Sequence, residues 1–441
     1  MTGQAATSQP SSPFGPDFVA DPYPTYAALR EAGPVHQMTL PDGSTVWLVT
    51  RYADVRAALA DQRLSLDKAN SDGSWRGFSL PPALDANLLN MDPPNHTRIR
   101  RLINQAFGPH RIAGLRPRVE AAAEALLDRI ADDGQADLVA DFAGPLPVTV
   151  ICDLLGVPEA DRAALRGWTD VMLSPPADDP RAGARVILRL QEFLVGLIAD
   201  KRREPGDDLL SAMIAARDTE ADVSTEAAGG SGAAGGSGAA GGSGAAGGTA
   251  ANGGSGAAGG SDRLSEDELT SLAFLVLFAG YENSVHLIGT GILALLRHPD
   301  QLDAVRTAPE LPAAAVEELL RYEPPAPVAF RRFPLTEVTI GGVRIPAGAA
   351  VLVNVAAANR DPLRFDQPEL LDVNRADSGH LTLGHGIHYC VGAPLARLEL
   401  QVAIGAVVRR FPKLALAVDP AELSWRPSFR TRGLRTLPVT F

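Results

Sequence analysis

One of the two cysteines of the chain, Cys390, lies in a glycine-rich stretch that leads directly into a helical pattern. Gly384, Gly386 and Gly392 surround it, and the run from Ala393 to Val408 is rich in Ala, Leu, Arg and Glu. Glycine permits backbone turns that other residues disfavour, and a thiolate just before a helix would be stabilised by backbone N–H donors and by the positive end of the helix dipole. This setting suits a sulfur that must stay ionised on a haem iron, where it favours O–O cleavage. Taken alone, the stretch also fits an ordinary buried thiol in a tight turn, so its meaning depends on the other motifs.

The stretch from Leu383 to Gly392 resembles the haem-binding loop of the cytochrome P-450 family, whose pattern is Phe-x-x-Gly-x-x-x-Cys-x-Gly. Every position matches except the first, where Leu383 replaces the usual Phe. The segment from Asn359 to Pro362 matches another landmark of the family, and the resemblance extends from about Phe18 to Phe441 apart from one glycine-rich segment. It implies a helical prism that encloses one haem b, with Cys390 as the axial ligand of the iron and the glycines on either side shaping the loop.

A glycine in the middle of a long apolar helical pattern marks a second part of the site. Gly280 follows Ala279 within the run from Leu272 to Leu296, where glycine costs about 1 kcal/mol relative to alanine and therefore calls for a reason. The resemblance implies that this pair leaves room for dioxygen above the haem. In the family an acid and then a threonine follow, and here these positions hold Glu282 and Asn283. We therefore expect Ala279, Gly280, Glu282 and Asn283 to form the catalytic groove.

Asn283 is the main departure from the family pattern. The family threonine helps to deliver protons for O–O cleavage, whereas an amide donates and accepts hydrogen bonds but is not a comparable acid–base relay. Three outcomes remain open: Asn283 orders a water that relays protons, Ser284 or a substrate hydroxyl takes over, or the reaction needs less proton delivery, as in oxidative coupling. His286, one turn beyond Glu282, is expected to be a packed helix residue rather than a second ligand.

Haem carries two propionates, which need cationic or donor partners. His96 and Arg100 follow a proline-rich helix start and, four residues apart, lie on one helix face. Arg332 lies at the edge of a predicted strand, and His388 is two residues before the ligand cysteine. The resemblance implies that these four residues clamp the propionates, since arginine binds carboxylates bidentately. Arg331 is an alternative to its neighbour, although Arg332 fits the family register better.

A glutamate and an arginine three residues apart, Glu318 and Arg321, lie on one face of a predicted helix. Alone, this spacing is typical of solvated surface pairs, which contribute little to stability. The resemblance implies instead that the two residues form a buried network with Arg375, from the segment before the cysteine loop. We expect this set to support the haem loop structurally.

The variable recognition segments of the family fall on mainly apolar residues in this chain. A hydrophobic polyketide-, terpene- or peptide-derived substrate fits such a surface, as would many others. The residues expected to contact substrate are Trp75, Phe78, Leu88, Leu89, Met172, Val328, Ala329, Phe330 and Phe429.

Bulk properties restrict the class of protein. The net charge of -12 argues against a nucleic-acid binder, because there is no basic excess to neutralise phosphates. Uninterrupted apolar runs are too short for a membrane span, and the N-terminus has neither the basic nor the apolar region of a signal peptide. Cys152 and Cys390 give no disulfide framework. We therefore expect a cytoplasmic protein that does not associate with membranes and is a monomer.

The elements that must position these residues are mostly helical, so the fold class is mainly α with a small β portion. Periodicity predicts helices over Pro22–Glu31, Ala53–Ala60, Thr97–Phe107, Arg118–Asp132, Arg185–Arg203 and Glu266–Arg297. Alternating or apolar runs predict strands over Thr45–Thr50, Val338–Ile340 and Ala350–Val355. The segment from Ala227 to Ser261 repeats Ala, Gly and Ser and is interpreted as a flexible insertion in a single domain that spans residues 1–441.

The resemblance implies a monooxygenase that inserts one atom of O2 into a hydrophobic natural product by hydroxylation or epoxidation. No flavin- or dinucleotide-binding region is apparent in the sequence, so electrons are expected from a ferredoxin and its reductase. Two alternatives remain, an oxidative coupling enzyme and a non-catalytic haem-binding module on the same fold. A third, direct use of peroxide, is disfavoured because Glu282 occupies the groove where such enzymes carry an arginine.

Overall fold

The computed structural model describes residues 15–77, 80–173, 179, 181–215, 264–308 and 310–441. The glycine-rich segment 227–261 and Phe78 therefore lie outside the described residues. The helices are α1 (Pro16–Ala20), α2 (Tyr23–Ala32), α3 (Tyr52–Ala60), α4 (Pro82–Asp85), α5 (Asn95–Ala106), α6 (Pro109–Ile130), α7 (Pro145–Leu155), α8 (Glu159–Leu173), α9 (Ala182–Arg203), α10 (Glu266–Leu296), α11 (Pro299–Arg306), α12 (Ala313–Tyr322), α13 (Val355–Ala358) and α14 (Ala393–Arg410), and residues 209–215 are also helical.

The strands form small sheets, which confirms the predicted mainly helical class with a small β portion. They are β1 (Val35–Thr39), β2 (Thr45–Val49), β3 (Leu64–Ser65), β4 (Gln135–Asp137), β5 (Phe333–Pro334), β6 (Val338–Ile340), β7 (Val343–Ile345), β8 (Ala350–Val353), β9 (Ala415–Leu416) and β10 (Pro438–Thr440). Their order is β1-β2-β8, β4-β10-β9, β3-β5 and β6-β7, with β2 and β8 parallel and the other named pairs antiparallel.

The central element is α10, which is apolar on all sides and buried along most of its length, with helices α7, α9 and α14 packed around it. A capping box starts it: Ser265 Oγ accepts from the Glu268 backbone N–H at 3.1 Å, and Glu268 Oε2 accepts from the Ser265 N–H at 2.8 Å. Within the described residues, α10 alone is long and apolar enough to cross a bilayer, but 72% of its most apolar window is buried in the fold. It is therefore the core helix around which the site is built.

Two predicted boundaries were wrong for local reasons. The helix expected from Arg118 begins at Pro109 and continues through Pro117, because packing against α14 and α7 outweighs the loss of one backbone hydrogen bond. The strand expected to reach Val355 ends two residues earlier. Asn354 caps α13 there, since its side-chain Oδ1 accepts from the Ala357 N–H at 2.8 Å.

Candidate active site

The cysteine loop is folded back on itself and seated on α3. The Cys390 N–H donates to the Leu383 carbonyl at 2.8 Å, while Gly384 and Gly386 have φ angles of +82° and +77°, in the left-handed region that favours glycine. A Cβ on Gly386 would lie 3.1 Å from Ala60 Cα, so a larger residue would push the loop away from α3. The glycines thus fix where the sulfur stands, three residues before α14 begins.

The environment of the sulfur favours a neutral thiol until a cation binds it. Burial raises the pKa of Cys390, while the N–H groups of Gly392 and Ala393 and the guanidinium groups of Arg100 and Arg397 oppose that rise without overcoming it. Metal coordination would deprotonate the thiol outright. No three His, Cys, Asp or Glu side chains converge as a metal site in the described part of the chain.

Two histidines, His388 in the cysteine loop and His96 on α5, face each other and have no carboxylate partner among the described residues. His96 is 1% exposed, and neither of its ring nitrogens has a hydrogen-bond partner among the described residues. Its ring centroid is 4.1 Å from that of His388. Burial and Arg100 lower the pKa of His96 to about 4, although Asp92 opposes them. Burial, His96 and the nearby arginines lower the pKa of His388 to about 3.

Arg100 and Arg332 add fixed positive charge to the same cluster. Arg332 is 3% exposed, and burial lowers its pKa to about 10. Each arginine uses one nitrogen within the protein: Arg332 Nη1 donates to the Phe330 carbonyl and Arg100 Nε to Asn104 Oδ1, both at 3.1 Å. Because an unpaired buried polar group such as the His96 ring is costly, this cluster of positive charge suits a bound anion. The set of His96, Arg100, Arg332 and His388 fits the two propionates of a haem, since the other three residues all act on His388 and Arg100 also acts on the Cys390 sulfur.

Neighbouring arginines on the same segment point to different surroundings. Arg331 Nη2 donates to Asn90 Oδ1 at 2.5 Å, and longer bonds of 3.4 Å reach the carbonyls of Leu66 and Leu89. Arg332 instead bridges Val351 through its backbone, with N–H to carbonyl distances of 2.8 Å in both directions. Side chains alternate along such a segment. The charge of Arg332 contributes to lowering the pKa of His388, so Arg332 rather than Arg331 faces the histidine pair.

The groove residues lie on an unbroken part of α10. A Cβ on Gly280 would lie 3.0 Å from Ile151 Cδ1 on α7, so a larger residue at position 280 would press against α7. Asn283 folds back on its own helix, where Nδ2 donates to the Ala279 carbonyl at 3.0 Å. The Asn283 amide is therefore hydrogen-bonded to the backbone carbonyl of Ala279, the first residue of the Ala279–Gly280 pair. Glu282, the residue before Asn283, is partly exposed.

Glu399 is a potential functional residue that sequence reasoning missed. It lies on α14 and is 2% exposed. Its Oε2 accepts a hydrogen bond from Oγ of Ser284, the residue that follows Asn283, at 2.5 Å. Burial raises the pKa of Glu399 to about 8, and its Oε1 has no hydrogen-bond partner among the described residues. A glutamate with apolar neighbours in a helical run gives no sign in sequence of whether it faces solvent or the groove.

His286 is packed inside the fold, on the next turn of α10. It is 2% exposed, and its Nε2 lies 3.6 Å from Glu282 Oε1. A Cβ on Gly433 would lie only 2.0 Å from His286 Nδ1, so the glycine of the C-terminal segment makes room for the ring.

The charged network of Glu318, Arg321 and Arg375 is buried at its centre, and Arg375 is its partly exposed member. Arg321 binds Glu318 with both Nε and Nη2, at 2.7 and 2.8 Å, and Arg375 Nε donates to the same carboxylate at 3.1 Å. Glu318 and Arg321 are both 0% exposed. The Asp372 backbone N–H also donates to Glu318, at 2.9 Å, which ties α12 to the segment that leads into the cysteine loop.

The expected substrate contacts do not all come together. Trp75, Val328 and Phe429 pack against one apolar cluster on the β1-β2-β8 sheet. Leu88, Leu89 and Met172 belong instead with the main helical core, Ala329 packs on a third cluster, and Phe330 is 48% exposed.

Comparisons with known proteins agree with this geometry. Residues 254–421 match the family model for Cytochrome P450. The chain is 43% identical to the cytochrome P450 monooxygenase PikC of Streptomyces venezuelae, over 99% of this chain and 96% of that protein. It is 41% identical to 6-deoxyerythronolide B hydroxylase of Saccharopolyspora erythraea, over 96% of each. Among solved structures, the cytochrome P450 PksS of Bacillus subtilis superposes with a TM-score of 0.82 at 35% identity, over 98% of this chain and 99% of that one.

Proposed function

The chain belongs to the cytochrome P450 family, among its bacterial monooxygenases of secondary metabolism, and we propose that it inserts one atom of O2 into a C–H or C=C bond of an apolar natural product. The observation that carries the proposal is the cationic cluster at the Cys390 loop, where Arg100 and Arg332 lie with a buried His96 whose ring nitrogens have no partner among the described residues. Relatives named as a monooxygenase and a hydroxylase support the reaction class. The substrate of this chain is proposed only as a class.

The residues that would hold haem b are those of the cysteine loop and the cationic cluster. Cys390 would ligate the iron, and His96, Arg100, Arg332 and His388 would bind the propionates. When bound, the haem supplies the oxygen chemistry, and the thiolate ligand favours O–O cleavage. The Glu318–Arg321–Arg375 network holds the loop in place, because its charges are satisfied only when α12 and the approach to the loop stay together.

Proton delivery to the groove is assigned to two carboxyl groups. The Asn283 amide is engaged with the Ala279 carbonyl and has no acidic proton. Ser284, hydrogen-bonded to Glu399, can pass on a proton that this buried carboxyl group holds near neutral pH. Glu282 lies on the more exposed side of the groove and can exchange protons with solvent. Of the three outcomes left open by the sequence, the one in which Ser284 replaces the threonine is best supported.

A second candidate function is oxidative coupling, in which substrate radicals join and no oxygen atom is transferred. The Asn283 amide, engaged with the Ala279 carbonyl where the family has a threonine, is the departure from the hydroxylase pattern that makes coupling the second candidate. Turnover under isotopically labelled O2 separates the two functions. Monooxygenation places the label in the product, whereas coupling leaves the product unlabelled. Mass spectrometry of products from a panel of apolar natural products, with unlabelled O2 as the control, reads the outcome directly.

The electron donor is proposed to be a ferredoxin with its reductase. Turnover with that pair should exceed turnover with peroxide alone, and the reverse ranking would show a peroxide-dependent enzyme. We further propose a single domain over residues 1–441 and a cytoplasmic monomer. A sedimentation experiment on the purified haem-loaded protein checks the monomer, since a dimer would sediment at twice the mass.

A further inference from the structure

An arginine lies between two aromatic rings at the tip of the C-terminal hairpin. The hairpin is closed by the bridge between Trp425 and Leu434, and Arg430 follows Phe429 near its tip. The Arg430 guanidinium carbon is 5.2 Å from the ring centroid of Trp75 and 5.4 Å from that of Phe429. Both rings belong to the apolar cluster on the β1-β2-β8 sheet. Arg430 therefore lies where two of the expected substrate-contact segments meet.

The loop that carries Trp75 is shaped to let this arginine approach. A Cβ on Gly77 would lie 2.7 Å from Arg430 Nη2 and 2.2 Å from Trp75 Cζ2. Any side chain at position 77 would therefore collide with both groups. The contact between the two segments is thus a close one that depends on a glycine.

The guanidinium of Arg430 has no protein anion at hydrogen-bonding distance within the described residues. Burial lowers the pKa of Arg430, and the negative charge of Asp42, which is not hydrogen-bonded to Arg430, opposes this shift. Arg331 lies close enough that the charge of Arg430 contributes to lowering the pKa of Arg331 to about 10. Two positive charges are thus held near each other in a partly desolvated place.

Three buried arginines of the fold are neutralised by glutamates at 2.8 Å or less: Arg321 by Glu318, Arg360 by Glu369 and Arg432 by Glu323. Arg331, without a carboxylate partner, donates instead to Asn90 and to two backbone carbonyls. Arg430 has neither kind of side-chain partner among the described residues, which leaves its planar set of N–H donors available.

We propose that Arg430 is a specificity determinant that selects substrates with a carboxylate on an apolar body. A guanidinium matches a carboxylate with two parallel hydrogen bonds. The faces of Trp75 and Phe429 would cover the apolar part next to that carboxylate, and Val328 belongs to the same cluster. This inference rests on the proposed function, because it names the class of molecule that the enzyme accepts.

The test compares two ligands of equal length that differ in charge, dodecanoate and dodecanamide. Their affinities for the haem-loaded enzyme are measured by isothermal titration calorimetry. Wild type should bind the carboxylate about tenfold more tightly than the amide, because charge-assisted hydrogen bonds in partly buried places have that strength. Arg430→Gln should abolish the preference, Arg430→Lys should keep part of it, and Arg435→Gln, an exposed arginine of the same hairpin, should leave it unchanged.

Equal affinity of the wild type for the two ligands, or an unchanged preference in Arg430→Gln, would overturn the inference. The reduced, CO-bound spectrum of the same preparations reports on thiolate ligation and does not depend on Arg430. A normal spectrum without carboxylate preference removes the inference alone, whereas an abnormal spectrum removes the proposed function as well.

Discussion

Ser284 Oγ lies 2.5 Å from Oε2 of Glu399, and the second oxygen of this buried carboxyl group has no partner among the described residues. The pair joins the central helix α10 to α14, the helix that follows the cysteine loop. In the proposed function, this carboxyl group would supply protons to the groove through Ser284.

The buried Glu399 predicts a pH dependence of stability. Burial raises the pKa of Glu399 to about 8 from its ordinary value of 4.5, so between these values the unfolded chain loses a proton that the folded protein keeps. The free energy of unfolding should therefore fall as the pH rises from about 5 to 8 and then level off. Relative to Glu399→Gln, wild type should lose more than about 1.4 kcal/mol across this window, the equivalent of one pKa unit. Denaturant unfolding of both proteins at several pH values measures the difference. Parallel pH curves for the two proteins would show that Glu399 is ionised in the fold.

The same residue should also affect turnover. Glu399→Gln keeps an acceptor for Ser284 but cannot release a proton, so product formed per reducing equivalent should fall about tenfold, with the balance appearing as peroxide. Ser284→Ala should act in the same direction, and Glu422→Gln, an exposed glutamate, should have no effect. Product and hydrogen peroxide yields, measured in the same reactions, show whether Glu399 supplies the proton. If Glu399→Gln forms product as efficiently as wild type, the proton comes by another route.

Arg332→Gln should weaken haem retention. It removes a buried charge that faces the histidine pair, so haem should transfer to apomyoglobin at least about tenfold faster than from wild type, consistent with the loss of a charge-assisted hydrogen bond. Arg331→Gln is the matched control, since its side chain binds Asn90 and the carbonyls of Leu66 and Leu89. The control variant should retain haem like wild type. Faster loss from the control than from Arg332→Gln would reverse the assignment of the two arginines.

Glu318→Gln should destabilise the fold by about 3–5 kcal/mol, because it leaves the charges of Arg321 and Arg375 without their shared anion. Asp303→Asn removes a carboxylate from an exposed pair with Arg306 and should change stability by less than about 1 kcal/mol. The free energies of unfolding of the two variants are compared by denaturant titration. A loss for Glu318→Gln as small as that of the surface variant would mean that the network is not structural.

The glycine-cysteine spacing and the order of the motifs were sufficient to predict the family and the mainly helical class, which the comparisons confirm. The end of β8 was harder to predict, because Asn354 stops the strand by a side-chain bond to Ala357 that apolar periodicity does not show. Glu399 was missed for a related reason. Whether a glutamate on α14 faces solvent or Ser284 depends on how α14 packs on α10, which the sequence of either helix alone does not determine.

The sequence also could not show which of the neighbouring residues Arg331 and Arg332 faces the histidine pair. Their side chains diverge because Arg332 pairs with Val351 through the backbone, so that the alternation of the segment sends Arg331 towards Asn90. Arg430 could not be singled out from the sequence either, because its place between the rings of Trp75 and Phe429, without a carboxylate partner among the described residues, depends on how distant segments pack.

The reduced, CO-bound absorption spectrum tests the central claim, that the Cys390 sulfur is the protein ligand of the haem iron. Wild type and Cys152→Ser, which removes the other cysteine, should both give the red-shifted Soret band of thiolate-ligated haem, and Cys390→Ser should lose it. A wild-type protein that takes up no haem, or a Cys390→Ser variant that keeps the wild-type band, would contradict ligation of the haem iron by Cys390.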